Sequence, residues 1–331
     1  MKSPSEPIAR RESGRILRPP STEAVESAAS RIAGRLPPLL AAMRPKQWLK
    51  NGLVFLALIF SIDEAWRPAD ISSWAPLVGQ ALIAFFAFTA VAAAEYLVND
   101  LRDIESDRLH PRKRRRPLAA GTLSARTATI AAVVLFTIGG VAGLTLGFSF
   151  FAVLVIYALQ SLAYSIWLKH IVIIDVLINA IGFVLRAIGG ALAIDVPVSP
   201  WLYSVTLLGA LFVAIYKRRN ELMLLQAGAT EHRPILAEYT THLLDQMASV
   251  VTASTVIAYS LYTFTAPNLP DNHAMMATVP FVLYGVFRYM YLVHRREEGG
   301  SPEEVIIRDK PMVIDLALWL LTSAAILLIF R

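Results

Sequence analysis

The chain of 331 residues contains no cysteine. That excludes disulfides, thiolate metal sites and a cysteine nucleophile. Charge is scarce as well: Asp, Glu, Lys and Arg together make up 17% of the residues, against about a quarter in a soluble domain. The six histidines show no HExxH or similar ligand spacing. No Ser–His–Asp arrangement or other covalent nucleophile is evident. The first fifty residues hold no apolar core segment, so a cleaved secretory signal is not read there.

What the chain does have is apolar length. Hydrophobic residues make up 56% of it, its mean hydropathy is +0.53, and the apolar residues fall in blocks of about twenty, enough to cross a ~30 Å hydrocarbon core as helix. Nine blocks are read as spans, at 49–62, 74–98, 126–146, 149–168, 171–194, 201–217, 243–266, 274–294 and 311–330. The first is the weakest, being short and running into "DEAWRPAD". The fold class is therefore all-α: a polytopic membrane bundle of nine helices.

Loop charge supports the count. Ten Lys or Arg lie in residues 1–50 and seven in residues 99–125; further basic residues follow spans four, six and eight, whereas the other loops contain only Arg67. Every second loop is thus basic, which places the N-terminus and the basic loops in the cytoplasm. The net charge of +6 is accordingly topological, and nucleic acid is excluded as a partner. Residues 1–37, polar, basic and rich in Pro and Ser, read as a disordered cytoplasmic tail. Residues 38–331 form the intramembrane domain.

The most informative stretch is "NDLRDIESDRLHPRKRRRPLAAG", Asn99 to Gly121, at the cytoplasmic end of span two. If the helix continues through it, Asp100, Asp103 and Asp107 sit at i, i+3 and i+7 on one face, with Asn99 one turn before Asp103. Like charges at this spacing repel, and carboxylates at membrane depth are costly, so the cluster needs a cation. Hard oxygen ligands suit Mg²⁺, or Mn²⁺, with substrate phosphates completing the shell. The basic loop that follows carries Arg112, Lys113 and Arg116, whose side chains suit phosphate oxygens. An acidic metal face beside a basic loop can hold a diphosphate from both sides.

Other polar residues stand out against the apolar spans. Lys46 and Lys50 precede span one, beside Arg44 and Trp48, where an interfacial belt is the alternative reading. Tyr164 and Lys169 end span four. Asp175, Asn179 and Arg186 share span five; an Asp175–Arg186 pair is disfavoured because eleven residues of helix rise about 16 Å. Lys217, Arg218 and Glu221 follow span six.

"NDLRDIESD" followed by "HPRKRRRPLAAG" resembles the first aspartate-rich motif of the UbiA-type intramembrane prenyltransferase superfamily. Three further segments, "RPKQWLKN", "YSIWLKH" and "ALFVAIYKRRNEL", are similar to its branch acting on decaprenyl phosphate as a phosphoribosyltransferase. The resemblance implies transfer of 5-phosphoribose from phosphoribosyl diphosphate to a polyprenyl phosphate, with release of pyrophosphate, feeding arabinan and cell-envelope precursor synthesis. It also implies that Asn99, Asp100, Asp103 and Asp107 carry a Mg²⁺–diphosphate and act as the catalytic face. Substrate contacts would come from Arg112, Lys113, Arg116, Tyr164 and Lys169. Lys46, Lys50, Arg186, Lys217, Arg218 and Glu221 are further candidates to contact substrate. Homo-oligomerisation stays open.

One departure from the general superfamily pattern is informative. A second aspartate-rich motif is usual after span six, but here the loop begins "KRRNE". A basic cluster facing one acidic cluster suits a donor with an additional phosphate. The alternative is a prenyltransferase moving a prenyl group from its diphosphate to an aromatic acceptor. An ion-coupled transporter would need polar residues near mid-membrane and repeated halves; here the acids cluster at the cytoplasmic ends and no clear internal repeat is visible.

Overall fold

The computed structural model describes residues 36–110, 113–226, 234–296, 305 and 308–330. The expected tail therefore lies, but for residues 36 and 37, outside the described residues. A short α1 (Pro38–Ala42) leads into a 3₁₀ helix (Pro45–Phe55) and α2 (Leu56–Phe60). Next come the long α3 (Ile71–Arg102) and short α4 (Ile104–Leu109). Then α5 (Ala125–Thr145), α6 (Phe148–Ile166), α7 (Ile174–Ala193) and α8 (Pro200–Gln226) follow. The chain continues through α9 (Thr241–Thr265), α10 (Val279–Arg296) and α11 (Lys310–Phe330).

Eight of these helices are long and apolar enough to cross a membrane: α3, α5 to α9, a helix over 274–294 that includes most of α10, and α11. They coincide with spans two to nine of the sequence reading. The first span is different. Its apolar residues begin inside the eleven-residue 3₁₀ helix and end in the five residues of α2, so it is not a long α-helix, and the count of nine such helices is not met among the described residues. At ~2.0 Å rise per 3₁₀ residue and 1.5 Å per α residue, the two pieces still extend about 30 Å if they run in line.

Helix starts are fixed locally. The Asp70 carboxylate accepts from Ser72 N at 2.9 Å, Ser124 from Thr127 N at 3.0 Å and Thr240 from Leu243 N at 3.1 Å, each satisfying an otherwise orphaned amide. At the centre lies α3, whose residues 87–95 are all buried. Its small side chains allow close approach: a Cβ added at Gly139 of α5 would stand 3.1 Å from the Ala87 carbonyl oxygen. The pair Gly189–Gly190 of α7 serves the same end. At Gly190 an added Cβ would meet the backbone of Val54 in the 3₁₀ helix, at 2.7 Å from its carbonyl carbon and 2.8 Å from its Cα. In contrast, Val133, Ile138 and Val141 of α5 and Ile156 and Leu159 of α6 remain exposed, as lipid-facing positions require.

Candidate functional site

A cavity of about 570 Å³ opens among α3, α6, α7 and α8 and the 3₁₀ helix. Ten sequence-predicted residues line it: Lys50, Asn99, Asp103, Lys113, Arg116, Tyr164, Lys169, Arg186, Lys217 and Arg218. Lys46, Asp100, Asp107 and Glu221 do not line it, and Arg112 lies outside the described residues.

The aspartates divide into two sets. The α-helix of span two ends at Asp103, whose φ of −96° and ψ of 9° cap it before α4 begins. Asp100 and Asp107 then turn together away from the cavity and are buried. Both receive Nη1 of Arg116, at 3.1 and 2.7 Å, and Asp100 also takes Nη2 of Arg44 at 2.5 Å. Arg44 itself lies over the Tyr96 ring, 4.6 Å from its centroid. Asn99 and Asp103 face the cavity instead. Arg102 holds Asp103 at 3.2 Å and reaches the Ser165 carbonyl at 3.1 Å. The expectation that one face carries all three aspartates is thus corrected by the break at Asp103. Among the described residues no cluster of three or more His, Asp or Glu is arranged to hold a metal. The donor chemistry nevertheless fits a divalent cation: two carboxylates already converge on one cationic nitrogen, and an amide oxygen and a third carboxylate stand at the cavity wall beside them.

The basic loop closes tightly behind this face. Residues 113–115 form a 3₁₀ turn, and Gly121, at φ +75°, takes a left-handed conformation that suits glycine. The Pro117 carbonyl accepts from Thr122 N and Leu123 N at 3.0 and 3.1 Å.

The 3₁₀ helix explains why one lysine reaches the cavity and the other does not. At three residues per turn, side chains at i and i+3 eclipse. Gln47 and Lys50 form one row and line the cavity. Asn51 and Val54 form a second row, buried against the bundle, and Lys46 and Leu49 fall in the third and are exposed. On an α-helix Lys46 and Lys50 would have shared a face.

Two buried networks brace the walls. Arg186 spends its three hydrogen-bonding nitrogens on Asn51 Oδ1 (2.7 Å), the Gly182 carbonyl (2.6 Å) and the Tyr157 hydroxyl (2.7 Å). Arg218 spends its own on Asp175 Oδ2 at 2.5 Å, on Glu221, and on the Tyr164 hydroxyl at 3.0 Å. Asp175 and Arg186 do not pair, as helix rise argued. Arg218 and Glu221 satisfy each other, so they hold the wall together more than they offer charge to a ligand.

Tyr239 completes the second network. Its hydroxyl donates to Asp175 Oδ1 and accepts from Ile173 N, both at 2.7 Å. Burial, and then the bond to Asp175, push this phenol above its ordinary range. Ile173 is held at φ +68°, an outlier for a β-branched residue, in the connection that carries Lys169. Sequence reasoning missed Glu95, Tyr157, Gln160 and Tyr239. Glu95 alone gave a signal, as an acid within "AVAAAEYLV" one helical turn before Asn99.

A helical membrane bundle with an acidic helix end and basic loops around one cavity defines a class, and the sequence matches it: residues 53–304 fit the UbiA prenyltransferase family, to which this chain belongs. Decaprenyl-phosphate phosphoribosyltransferase of Mycolicibacterium smegmatis is 32% identical over 296 residues, covering 87% of this chain and 91% of the relative. The enzyme of the same name from Corynebacterium glutamicum is 34% identical over 293 residues, covering 85% and 84%. Among solved structures, a UbiA homolog from Archaeoglobus fulgidus bound to GPP and Mg²⁺ superimposes with a TM-score of 0.66 at 20% identity, covering 88% of this chain and 99% of that one.

Proposed function

We propose that this protein transfers 5-phosphoribose from phosphoribosyl diphosphate to decaprenyl phosphate or a related polyprenyl phosphate, releasing pyrophosphate. The observation that carries the reading is the charge of the cavity wall. Lys50, Lys113, Lys169 and Lys217 surround a single acidic face, and the loop after α8 supplies no second pair of aspartates. A donor with three phosphate groups and an acceptor with one require such a surplus of cations. The names of the relatives point the same way, and the resemblance noted in the sequence implies that the product feeds cell-envelope arabinan synthesis.

Asn99 and Asp103, with Asp100 and Asp107 behind them, would hold Mg²⁺, and Mn²⁺ would serve with the same ligands. When bound, the ion neutralises the diphosphate and stabilises its departure. Lys113 and Arg116, at the cavity wall beside the aspartates, would meet the leaving pyrophosphate, which preorganises charge where it develops. Lys50, Lys169 and Lys217 take the remaining phosphates. The acceptor phosphate is already an anionic nucleophile, so no strong general base is needed. Arg44 and Arg116 hold the two buried aspartates in place, and the Asp175–Arg218–Tyr164 network fixes the end of α6 that leads to Lys169. The lipid enters sideways from the bilayer and the donor from the cytoplasm. The alternation of loop charge supports this orientation, with the 3₁₀ segment and α2 as the ninth crossing.

The test uses purified protein, Mg²⁺, radiolabelled phosphoribosyl diphosphate and decaprenyl phosphate, with label in the organic-extractable lipid as the readout. Labelling that EDTA abolishes supports the assignment. No labelling, together with transfer from a prenyl diphosphate to an aromatic acceptor, refutes it.

A further inference from the structure

Two acceptor oxygens in the cavity wall lack a partner, although the Ser161 side chain hydrogen-bonds the Glu95 carboxyl group. Glu95 Oε1 and Gln160 Oε1 are fully buried and have no hydrogen-bond partner. Six such atoms occur among the described residues, and only these two belong to residues that line the cavity. Glu95 is 93% buried by area, being 7% exposed, and sits one helical turn, about 6 Å, deeper than Asn99 on the same face of α3. Gln160 comes from α6. Its Nε2 donates to the Ile178 carbonyl at 2.6 Å, and that bond fixes the amide and leaves Oε1 as the end without a partner. The hydrogen bonds of Arg186 go to Asn51, Gly182 and Tyr157, and none reaches either oxygen. Gly182 keeps the space open: a Cβ there would lie 3.6 Å from Gln160 Nε2 and 3.5 Å from Arg186 Nη1.

Two buried acceptors in the wall of one cavity specify a ligand by its donors. A fully ionised phosphate carries none. A prenyl chain carries none either, and would seal both oxygens away from water at the full cost of leaving them unpaired. A pair of neighbouring hydroxyls satisfies both.

We propose that Glu95 and Gln160 accept from the ribose 2- and 3-hydroxyls of the donor, and so select a sugar diphosphate over a prenyl diphosphate. This rests on the reading given under Proposed function. The depth agrees with it: the diphosphate sits at the level of Asn99 and Asp103, and the ring lies about one helical turn below.

The experiment compares kcat/KM for phosphoribosyl diphosphate with that for its 2-deoxy and 3-deoxy analogues. It uses the wild-type protein, Glu95→Met, which keeps the volume, and Gln160→Met; Glu95→Ala serves if the methionine variant does not fold. A site that hydrogen-bonds a hydroxyl rejects the analogue lacking it strongly, so the wild type should prefer the parent donor by about 10²-fold or more. Each variant should reduce the preference against at least one deoxy donor about tenfold or further. A merely structural role would lower all three donors in proportion, and unchanged ratios would overturn the proposal while leaving ribosyl transfer intact. Transfer from a prenyl diphosphate and from no ribosyl donor would overturn the functional reading itself and this proposal with it.

Discussion

Gly190 offers the most direct test of how the fold positions the cavity. A methyl group at this position would stand 2.7 Å from the Val54 carbonyl carbon and 2.8 Å from its Cα. Ordinary contact begins at 3.4 Å, so the 3₁₀ backbone must withdraw by at least the difference between 2.7 and 3.4 Å, about 0.7 Å. No side-chain rotation can absorb this, because the obstacle is backbone. Overpacking of this kind costs about 1–3 kcal/mol. The displaced segment carries Lys50 and Gln47 on the cavity and Asn51 against Arg186, and misplacement near 1 Å costs on the order of 10²-fold in rate. Gly190→Ala should therefore lower the thermal midpoint, followed by tryptophan fluorescence in detergent, and cut transfer by tens-fold. Gly209→Ala is the control, since an added methyl there meets nothing within 4 Å and alanine favours helix by about 1 kcal/mol. If both variants match in midpoint and in kcat/KM, the close approach of α7 to the 3₁₀ helix does not position the site.

Three further outcomes are expected. Asp103→Asn should abolish Mg²⁺-dependent transfer while leaving the thermal midpoint near wild type, whereas Asp100→Asn, which removes the carboxylate charge that Arg44 holds and leaves Arg116 with Asp107 alone, should lower the midpoint as well; equal midpoints would contradict the division of the aspartates. Tyr239→Phe removes the donor to Asp175 and the acceptor for Ile173 N, and should destabilise the protein by about 1–3 kcal/mol, with faster hydrogen exchange at the Ile173 amide; an unchanged exchange rate would show that Tyr239 does not hold that turn. At the start of α3, bonds from the Ser72 hydroxyl and amide hold the Asp70 carboxyl below its ordinary range. A depressed acid contributes stability above its unfolded pKa and loses it as pH falls through the folded value, so the midpoint gap between wild type and Asp70→Asn should be full near pH 7 and close under acid. A gap that persists at low pH would place the cap's contribution elsewhere.

Much of this was readable from residue order alone. The eight long helices follow from apolar blocks of the right length, and the Asn99–Gly121 stretch stands out because acids at a helix end need a counter-charge. What could not be read is backbone geometry that composition leaves undetermined. Nothing in "PKQWLKNGLVF" distinguishes three residues per turn from 3.6, so Lys46 and Lys50 look equivalent until the rows are seen. The break at Asp103 is likewise invisible, because i, i+3, i+7 spacing assumes an uninterrupted helix. Arg218 looked like a phosphate ligand because its partners, Asp175 on α7 and Tyr164 on α6, lie 43 and 54 residues away in sequence. Gln160 became visible only through an unpaired atom, whereas Glu95 had stood out as an acid inside an apolar span.

The 3₁₀ segment also governs how this part of the gene can change. Each residue turns the chain by about 120°, so substitutions alter what a row presents without moving it. An insertion or deletion between Arg44 and Val54 would rotate everything upstream by a third of a circle, taking Gln47 off the cavity. Such a segment should drift in identity among relatives far more readily than in length, and a single-residue indel there should be more damaging than any one of the substitutions it allows.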